Sequence, residues 1–224
     1  MEDIKQAAVL FSGGMDSFLV CCRLIEHGFS VFLITCDNGC ISNIDAVYNT
    51  KDRLENMYGH SKVCGMEIHN IAEPVYVMKK HLLRQEIQKI SQKYPHLQPL
   101  QVNCLICHTC MFTDALKYAK EHNIQYVADE SRKSQGFIIE LPEIAEKYKA
   151  FAYMYGVKYI LPVYEMEDDI ERKSEFASRG FIPKTIEPQC WIGMPMKSEL
   201  NFLQIKDLVD FYEHEIKDLL LRFV

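Results

Sequence analysis

An apolar run followed at once by a glycine-rich turn constrains this chain most. Residues 7–11, Ala-Ala-Val-Leu-Phe, are typical of a strand that is buried on both faces of a parallel sheet. The chain then passes through Ser12, Gly13 and Gly14 and enters an apolar segment at 18–25 that predicts a helix. Two glycines let backbone amides approach a ligand, and a helix N-terminus favours an anion. The sequence therefore predicts an anion-binding turn between a buried strand and a helix.

The turn differs from two commoner phosphate-binding loops. It contains neither Gly-x-x-x-x-Gly-Lys-Ser/Thr nor Gly-x-Gly-x-x-Gly. The sequence Ser-Gly-Gly-Met-Asp-Ser at 12–17 resembles the PP-loop of the ATP pyrophosphatase superfamily. The resemblance implies an enzyme that binds ATP with Mg²⁺, releases pyrophosphate and transfers AMP to an oxygen of its substrate. It assigns the pyrophosphate contacts to Ser12, Gly13, Gly14, Asp16 and Ser17. The alternative is an ordinary strand–turn–helix unit whose turn happens to be rich in glycine.

Length and composition fit one globular domain. Of 224 residues, 48% are hydrophobic and 25% are charged, which are ordinary proportions. The apolar runs are too short to cross a membrane and the N-terminus lacks the shape of a signal peptide, so we expect a cytoplasmic enzyme, with a homodimer as one assembly to consider. The net charge of −6 argues against a surface coated with positive charge for nucleic acid. Basic residues are nevertheless concentrated in 79–93. They form either a solvated helix face or a local binding surface for a polyanion.

Strand and helix patterns alternate along the chain. The predicted strands are 7–11, 30–36, 63–71, 125–129 and 159–163, and the predicted helices are 18–25, 43–58, 74–93, 111–121, 141–155, 168–179 and 201–221. This alternation predicts an α/β fold with a doubly wound, five-stranded parallel sheet and helices on both faces. We expect one domain over 1–224, with 74–103 as an insertion and 181–224 as a C-terminal extension.

Ligands of such sheets lie beyond the carboxyl ends of the strands. That rule gathers the 12–17 turn, the 37–39 turn and the polar 129–136 loop into one crevice. The superfamily resemblance implies that Asp37 and Asn38 contact the adenosine and that Asp129 or Asp16 helps to bind Mg²⁺; for the two residues at 37 and 38, simple turn chemistry is the alternative. Arg132, Lys133 and Lys184 are candidate cations that would stabilise the charge that develops on the phosphates.

Three cysteines stand at metal-binding spacing. Cys104, Cys107 and Cys110 precede a helix predicted to begin at Met111, and this spacing suits zinc or an iron–sulfur cluster. A position at a helix N-terminus would also lower the pKa of each thiol. The alternative is that the cysteines serve packing. Three others, Cys21, Cys22 and Cys36, lie in apolar runs and are expected in the core.

The cysteine segment resembles the tRNA-thiolation branch of the same superfamily. Those enzymes adenylate a pyrimidine carbonyl oxygen of tRNA and replace it with sulfur from a donor protein. Many of them carry a second cysteine roughly eighty to a hundred residues after the first, and here Cys190 follows Cys107 by 83 residues. The resemblance implies a [4Fe-4S] cluster on Cys104, Cys107 and Cys190, with Cys110 as a competing third ligand. In the cluster-free members, Cys107 and Cys190 would instead carry a persulfide and release the product.

Two other functions stay open. The 7-cyano-7-deazaguanine synthases, also PP-loop proteins, hold zinc with four cysteines, which here would be Cys104, Cys107, Cys110 and Cys190, and amidate a small acid. A nucleotide-binding regulatory module without turnover is the other alternative. Next to the cysteines, His108 is a metal ligand, an acid–base group or, more commonly for such a residue, a partly exposed polar side chain. Trp191 stacks on a base or, as we favour, packs in the core.

Overall fold

The computed structural model describes residues 5–97, 99–181, 188–191 and 200–220, without the side chains of 99–101. In chain order the strands are β1 Gln6–Leu10, β2 Ser30–Asp37, β3 Ile41–Ser42, β4 Val63–Asn70, β5 Tyr126–Ala128, β6 Lys158–Ile160 and β7 Gln189–Cys190. Five of them form one parallel sheet in the order β4-β2-β1-β5-β6. The short strands β3 and β7 form a separate antiparallel pair. The predicted doubly wound α/β fold is confirmed.

The helices are α1 Met15–Glu26, α2 Val47–Tyr58, α3 Ala72–Lys80, α4 Ile87–Lys93, α5 Pro99–Glu121, α6 Pro142–Met154, α7 Asp169–Ser178, α8 Phe202–Phe211 and α9 Lys217–Leu220. Two π-helical turns, His81–Gln85 and Tyr212–Ile216, join α3 to α4 and α8 to α9. The single helix predicted over 74–93 is therefore interrupted. Within the described ranges, no helix combines the length and apolar character that crossing a bilayer requires.

The central strand β1 explains the apolar run that opens the chain. Ala8 and Leu10 face a core layer that contains α3, α5 and α6. Ala7, Val9 and Phe11 face the opposite layer, which contains α1, α2 and α7. Because helices cover both faces of the sheet, every one of these positions excludes water. The prediction that Cys21, Cys22 and Cys36 are core residues is confirmed by the same layers.

Helix α5 corrects the prediction for the cysteine segment. The predicted break at 94–99 is present over 94–97, but the helix begins at Pro99 and not at Met111. Proline suits the first turn of a helix, and Leu105, Ile106 and Phe112 continue one buried face through the cysteines. Cys104, Cys107 and Cys110 therefore lie inside a helix of 23 residues. The predicted insertion over 74–103 and extension over 181–224 stay predictions.

The strand order reverses between β1 and β5. At such a switch point the loops that leave neighbouring strands diverge to opposite faces of the sheet and open a crevice. The turn after β1 and the loop after β5 flank this crevice. The fold thus brings the predicted phosphate turn beside the polar loop that begins at Asp129.

Candidate functional site

Side-chain hydroxyl groups fix the turn after β1 by donating hydrogen bonds to its carbonyl groups. Gly13 has a φ of 78°, and Thr50 of α2 donates a hydrogen bond of 2.8 Å to its carbonyl. Ser17 Oγ donates to the Gly14 carbonyl at 3.0 Å, and the Gly14 amide donates to Ser12 Oγ at 3.1 Å. With its carbonyls bound to the body of the protein, the turn presents Ser12, Gly14 and Asp16 to a cavity. A helix N-terminus beside a cavity suits a phosphate.

Glu130 is a neighbour of this turn that the sequence did not single out. Ser12 Oγ donates a hydrogen bond of 2.9 Å to Glu130 Oε2. Removal from water raises the pKa of Glu130 to about 8, and the carboxylates of Asp16 and Asp129 add to the rise. This carboxyl group therefore holds a proton near neutral pH. In the sequence, the adjacent acidic residues Asp129 and Glu130 directly after β5 could have indicated this position.

Asp16 lies at the centre of a network of donors. Gln135 Nε2 donates to its Oδ2 at 2.9 Å, and Arg172 Nη1 donates to the same oxygen at 3.0 Å. Arg132 Nε lies 3.4 Å from Oδ1, yet within the described residues neither of these two atoms has a hydrogen-bond partner. Arg172, on α7, is a site residue that sequence reasoning missed, because only the fold brings that helix to the turn after β1.

Asp129 and His108 form a buried contact between a carboxylate and an imidazole ring. The His108 Nε2 atom lies 2.9 Å from Asp129 Oδ2, and the Tyr159 hydroxyl donates to the same oxygen at 2.7 Å. Burial pushes the pKa of Asp129 up, but the charge and hydrogen bonds of His108 and Tyr159 bring it below its usual value. The ring Nδ1 of His108 meets the hydroxyl of Tyr148 at 3.2 Å. The expectation that His108 is partly exposed was wrong, because α5 continues through it and turns it inward.

Asp37 and Asn38 make the hydrogen bonds of a turn. Asp37 Oδ1 accepts from the Gly39 amide at 2.8 Å, and Asn38 Oδ1 accepts from the Cys40 amide at 2.9 Å. Asn38 Nδ2 points the other way and donates to Cys107 Sγ at 3.1 Å and to Cys190 Sγ at 3.8 Å. One amide nitrogen therefore contacts both thiols of the predicted sulfur-carrying pair.

The predicted metal ligands do not all meet. The thiols of Cys104, Cys107 and Cys190 line the same cavity, whereas Cys110 is buried in the core against Met78 Sδ at 3.4 Å. Among the residues that the structure describes, no group of three or more His, Cys, Asp and Glu side chains is arranged to hold a metal ion. A zinc ion or an iron–sulfur cluster accordingly stays a prediction.

The predicted lowering of the thiol pKa values was also wrong. Burial raises the pKa of Cys104 and of Cys107, and it raises the pKa of Cys110 to about 12. The reason is that these cysteines lie within α5 and not at its first turn, where unpaired amides would stabilise a thiolate. Lys79 and, for Cys107, Asn38 oppose this effect of burial.

One cavity of about 410 Å³ joins the turn after β1 to the cysteines. Its volume falls in the range of small-molecule sites, about 300–1,000 Å³. Apolar side chains from several elements give it walls suited to a flat ring, namely Ile41, Ile44, Met111, Phe137 and Ile139. A nucleotide bound at Ser12 would therefore share its cavity with the thiols of Cys107 and Cys190.

Other predicted contacts have different places. Arg132 is buried next to Asp16, while Lys133 lies in the 3-10 helix Lys133–Gln135. Lys184 lies outside the described residues. The preference for Trp191 as a core residue was wrong, because its side chain is 80% exposed. The basic stretch 79–93 contributes Lys79 to the cavity wall.

Comparisons with known proteins give no family for this chain. No family model matches it, and no curated protein matches it. Among solved structures, it is similar to the predicted subunit of tRNA methyltransferase from Methanocaldococcus jannaschii, at 18% sequence identity and a TM-score of 0.44. That alignment covers 83% of this chain and 96% of the other.

Proposed function

We propose that this protein is an ATP-dependent adenylating enzyme of the PP-loop type, which activates a carbonyl oxygen of its substrate for replacement by sulfur. The observation that carries the proposal is the shared cavity: the phosphate turn at 12–17 and the pair Cys107 and Cys190 open into it together. A site that only bound a nucleotide would not need two thiols on one amide nitrogen beside it.

The first step is adenylation. Mg·ATP enters as the substrate, with its β- and γ-phosphates against Ser12, Gly14 and the first turn of α1. The carbonyl oxygen of the acceptor attacks the α-phosphorus, the bond to the β-phosphate oxygen breaks, and pyrophosphate leaves. Turn amides and nearby cations stabilise the charge that develops on the phosphates. We assign Asp16 and Asp129, which line the cavity, to the metal ion that accompanies ATP, since Mg²⁺ prefers oxygen ligands.

The second step is sulfur transfer. A persulfide on one cysteine of the pair attacks the activated carbon through its terminal sulfur, and AMP leaves with the original oxygen. The other cysteine then attacks the sulfur of the first, which breaks the S–S bond and releases the thiocarbonyl product. The resulting Cys107–Cys190 disulfide is reduced by an external thiol before the next turnover. Asn38 Nδ2 lies within 3.8 Å of both sulfur atoms and so holds them on one side of the cavity.

We propose tRNA as the acceptor and a persulfide-bearing protein as the sulfur donor. The basic stretch 79–93 adjoins the cavity through Lys79 and would suit a polyanion. A small-molecule acceptor, a cytoplasmic location and a homodimer are further predictions. Metal analysis after anaerobic purification tests the cofactor: iron with sulfide would support a cluster, and stoichiometric zinc would support the amidating alternative.

ATP binding and pyrophosphate release test the adenylation step. We expect the wild-type protein to bind ATP in a calorimeter and to release pyrophosphate when unmodified tRNA is added. Asp16→Asn should abolish pyrophosphate release, while Asp52→Asn, at a solvent-exposed position of α2, should not change it. Full activity of the Asp16→Asn variant would contradict the proposal.

A matched pair of substitutions on α5 tests the sulfur step. Cys107→Ser should abolish formation of thiolated tRNA and leave pyrophosphate release intact, because only the second step needs the thiol. Cys110→Ser changes the same residue type one turn away, outside the cavity, and should retain thiolation. Equal loss of thiolation in both variants, with folding intact, would argue against the assigned pair.

A further inference from the structure

We infer that Arg172 of α7 is a binding residue for the phosphate tail of the nucleotide, with Arg132 and Asp169 as the residues that position it. The inference rests on the proposed function and deepens it. Arg172 and Lys79 are the Arg and Lys side chains that line the described cavity. Of these two, Arg172 is the one that contacts the start of α1, through a hydrogen bond of 3.0 Å from its Nη1 to Asp16 Oδ2.

The guanidinium of Arg172 is held in place before any ligand binds. Its Nη1 donates to Asp16 Oδ2 at 3.0 Å, and its Nη2 lies 3.2 Å from Asp169 Oδ1. Arg132 Nη2 donates to that same Asp169 oxygen at 3.3 Å. Since Asp168 caps α7 by accepting from the amides of residues 170 and 171, the start of the helix is fixed as well. A planar donor fork held this way needs little reordering to bind a phosphate.

The Nε donor of Arg172 is available for a further hydrogen bond. Within the described residues, Arg172 Nε is buried and has no hydrogen-bond partner, and the same holds for Arg132 Nε behind it and for Asp16 Oδ1. Buried polar atoms of this kind usually have a partner in the functional state. Arginine offers five N–H donors, so Arg172 can keep its contact with Asp169 and still take a phosphate oxygen.

The charges around the turn show why this cation matters. The carboxylates of Asp16 and Asp129 both act on Glu130 beside the turn, and a triphosphate brings several negative charges to the same place. Asp16 accepts from Nη1 of Arg172, where a phosphate oxygen could bind instead, because carboxylate and phosphate oxygens fit the same donors. When Mg·ATP binds, the phosphate replaces Asp16 at Nη1, and the released carboxylate faces the metal ion that the nucleotide brings.

Calorimetric titration with ATP, tripolyphosphate and AMP tests this assignment. Arg172→Gln should weaken ATP and tripolyphosphate binding about 10- to 100-fold, the loss expected for hydrogen bonds to a charged group, and change AMP binding less than about twofold. Arg172→Lys should retain part of the affinity, because it keeps the charge without the fork. Arg179→Gln is the matched control, since Arg179 lies on the same face at the end of α7 and pairs with Glu26 and Glu175 outside the cavity.

The outcomes separate this inference from the proposed function. If the wild type binds ATP and Arg172→Gln binds it equally well, the assignment of Arg172 is wrong while the proposed function stands. Equal weakening of ATP and AMP, or an equal effect of Arg179→Gln, would show that Arg172 acts through the packing of α7 and would also overturn the assignment. A wild-type protein that binds neither ATP nor tripolyphosphate would overturn both proposals.

Discussion

Alanine at position 13 should weaken both the folded protein and its binding of ATP. Gly13 has a φ of 78°, a region that residues with a Cβ atom rarely adopt. A Cβ built there would lie 3.0 Å from both the Cα and the Cγ1 atoms of Val47. Val47 is fully buried at the start of α2, so its backbone has little room to move. The substitution therefore combines backbone strain with overpacking.

The two contributions set the size of the effect. A left-handed backbone conformation costs a non-glycine residue roughly 1–2 kcal/mol, and an extra methyl group in a packed core costs typically about 1–3 kcal/mol. We expect Gly13→Ala to lower the free energy of unfolding by about 3 kcal/mol. For a chain of this size each kcal/mol shifts Tm by about 2–4 °C, which gives a decrease of about 6–12 °C.

Gly28→Ala isolates the backbone contribution. Gly28 has a φ of 87°, and its added Cβ would meet no atom within 4 Å. It follows the C-terminus of α1, away from the cavity, so its variant should lose only roughly 1–2 kcal/mol and bind ATP like the wild type. Thermal unfolding and ATP titration of both variants provide the measurement. Equal Tm losses, or unchanged ATP affinity in Gly13→Ala, would refute the reasoning about this turn.

Three further substitutions probe the walls of the cavity. Glu130→Gln removes a carboxyl group whose pKa rises from 4.5 to about 8 on folding. Because the folded protein retains a proton that the unfolded chain loses, the stability of the wild type should fall relative to that of the variant from about pH 5 to pH 8. A difference in unfolding free energy that stays constant with pH in urea denaturation would contradict this. His108→Ala leaves the buried carboxylate of Asp129 without the ring nitrogen beside it and should cost about 1–3 kcal/mol, part of which a second change, Asp129→Asn, should restore in the same denaturation assay. Asn38→Leu removes a hydrogen bond that lowers the pKa of Cys107, so alkylation of this thiol by iodoacetamide at pH 8, followed by mass spectrometry, should slow several-fold; an unchanged rate would show that the amide does not act on the sulfur.

The central sheet and the glycine-rich turn that follows β1 could be predicted because each depends on local sequence. The apolar run at 7–11 is long enough to require cover on both faces, and Gly13 is needed where the chain reverses direction at positive φ. Helix α7 was also predicted closely, since Asp168 caps its start. In each case neighbouring residues decide the conformation, so one sequence is sufficient.

The errors arose where distant segments decide the outcome. Cys104, Cys107 and Cys110 look like a loop ligand set in sequence, yet Leu105, Ile106 and Phe112 bury α5 against the sheet and carry the helix through them. Placement of Arg172 beside Asp16 depends on how α7 packs on α1, which no local pattern encodes. The same holds for His108, whose partner Asp129 lies at the end of another element.

Helix α5 carries Cys107 and His108 on consecutive positions of one rod. One neighbour faces Asn38 and the other faces Asp129, so the angular phase of this rod sets both distances at once. A single residue inserted between His108 and the end of the helix would rotate the preceding segment by about 100°. The side chains of Cys107 and His108 would then point away from Asn38 and Asp129. An insertion at 94–97, before the helix begins, would leave that phase unchanged. Length variation should therefore be tolerated ahead of Pro99 and disfavoured between His108 and the end of α5 at Glu121.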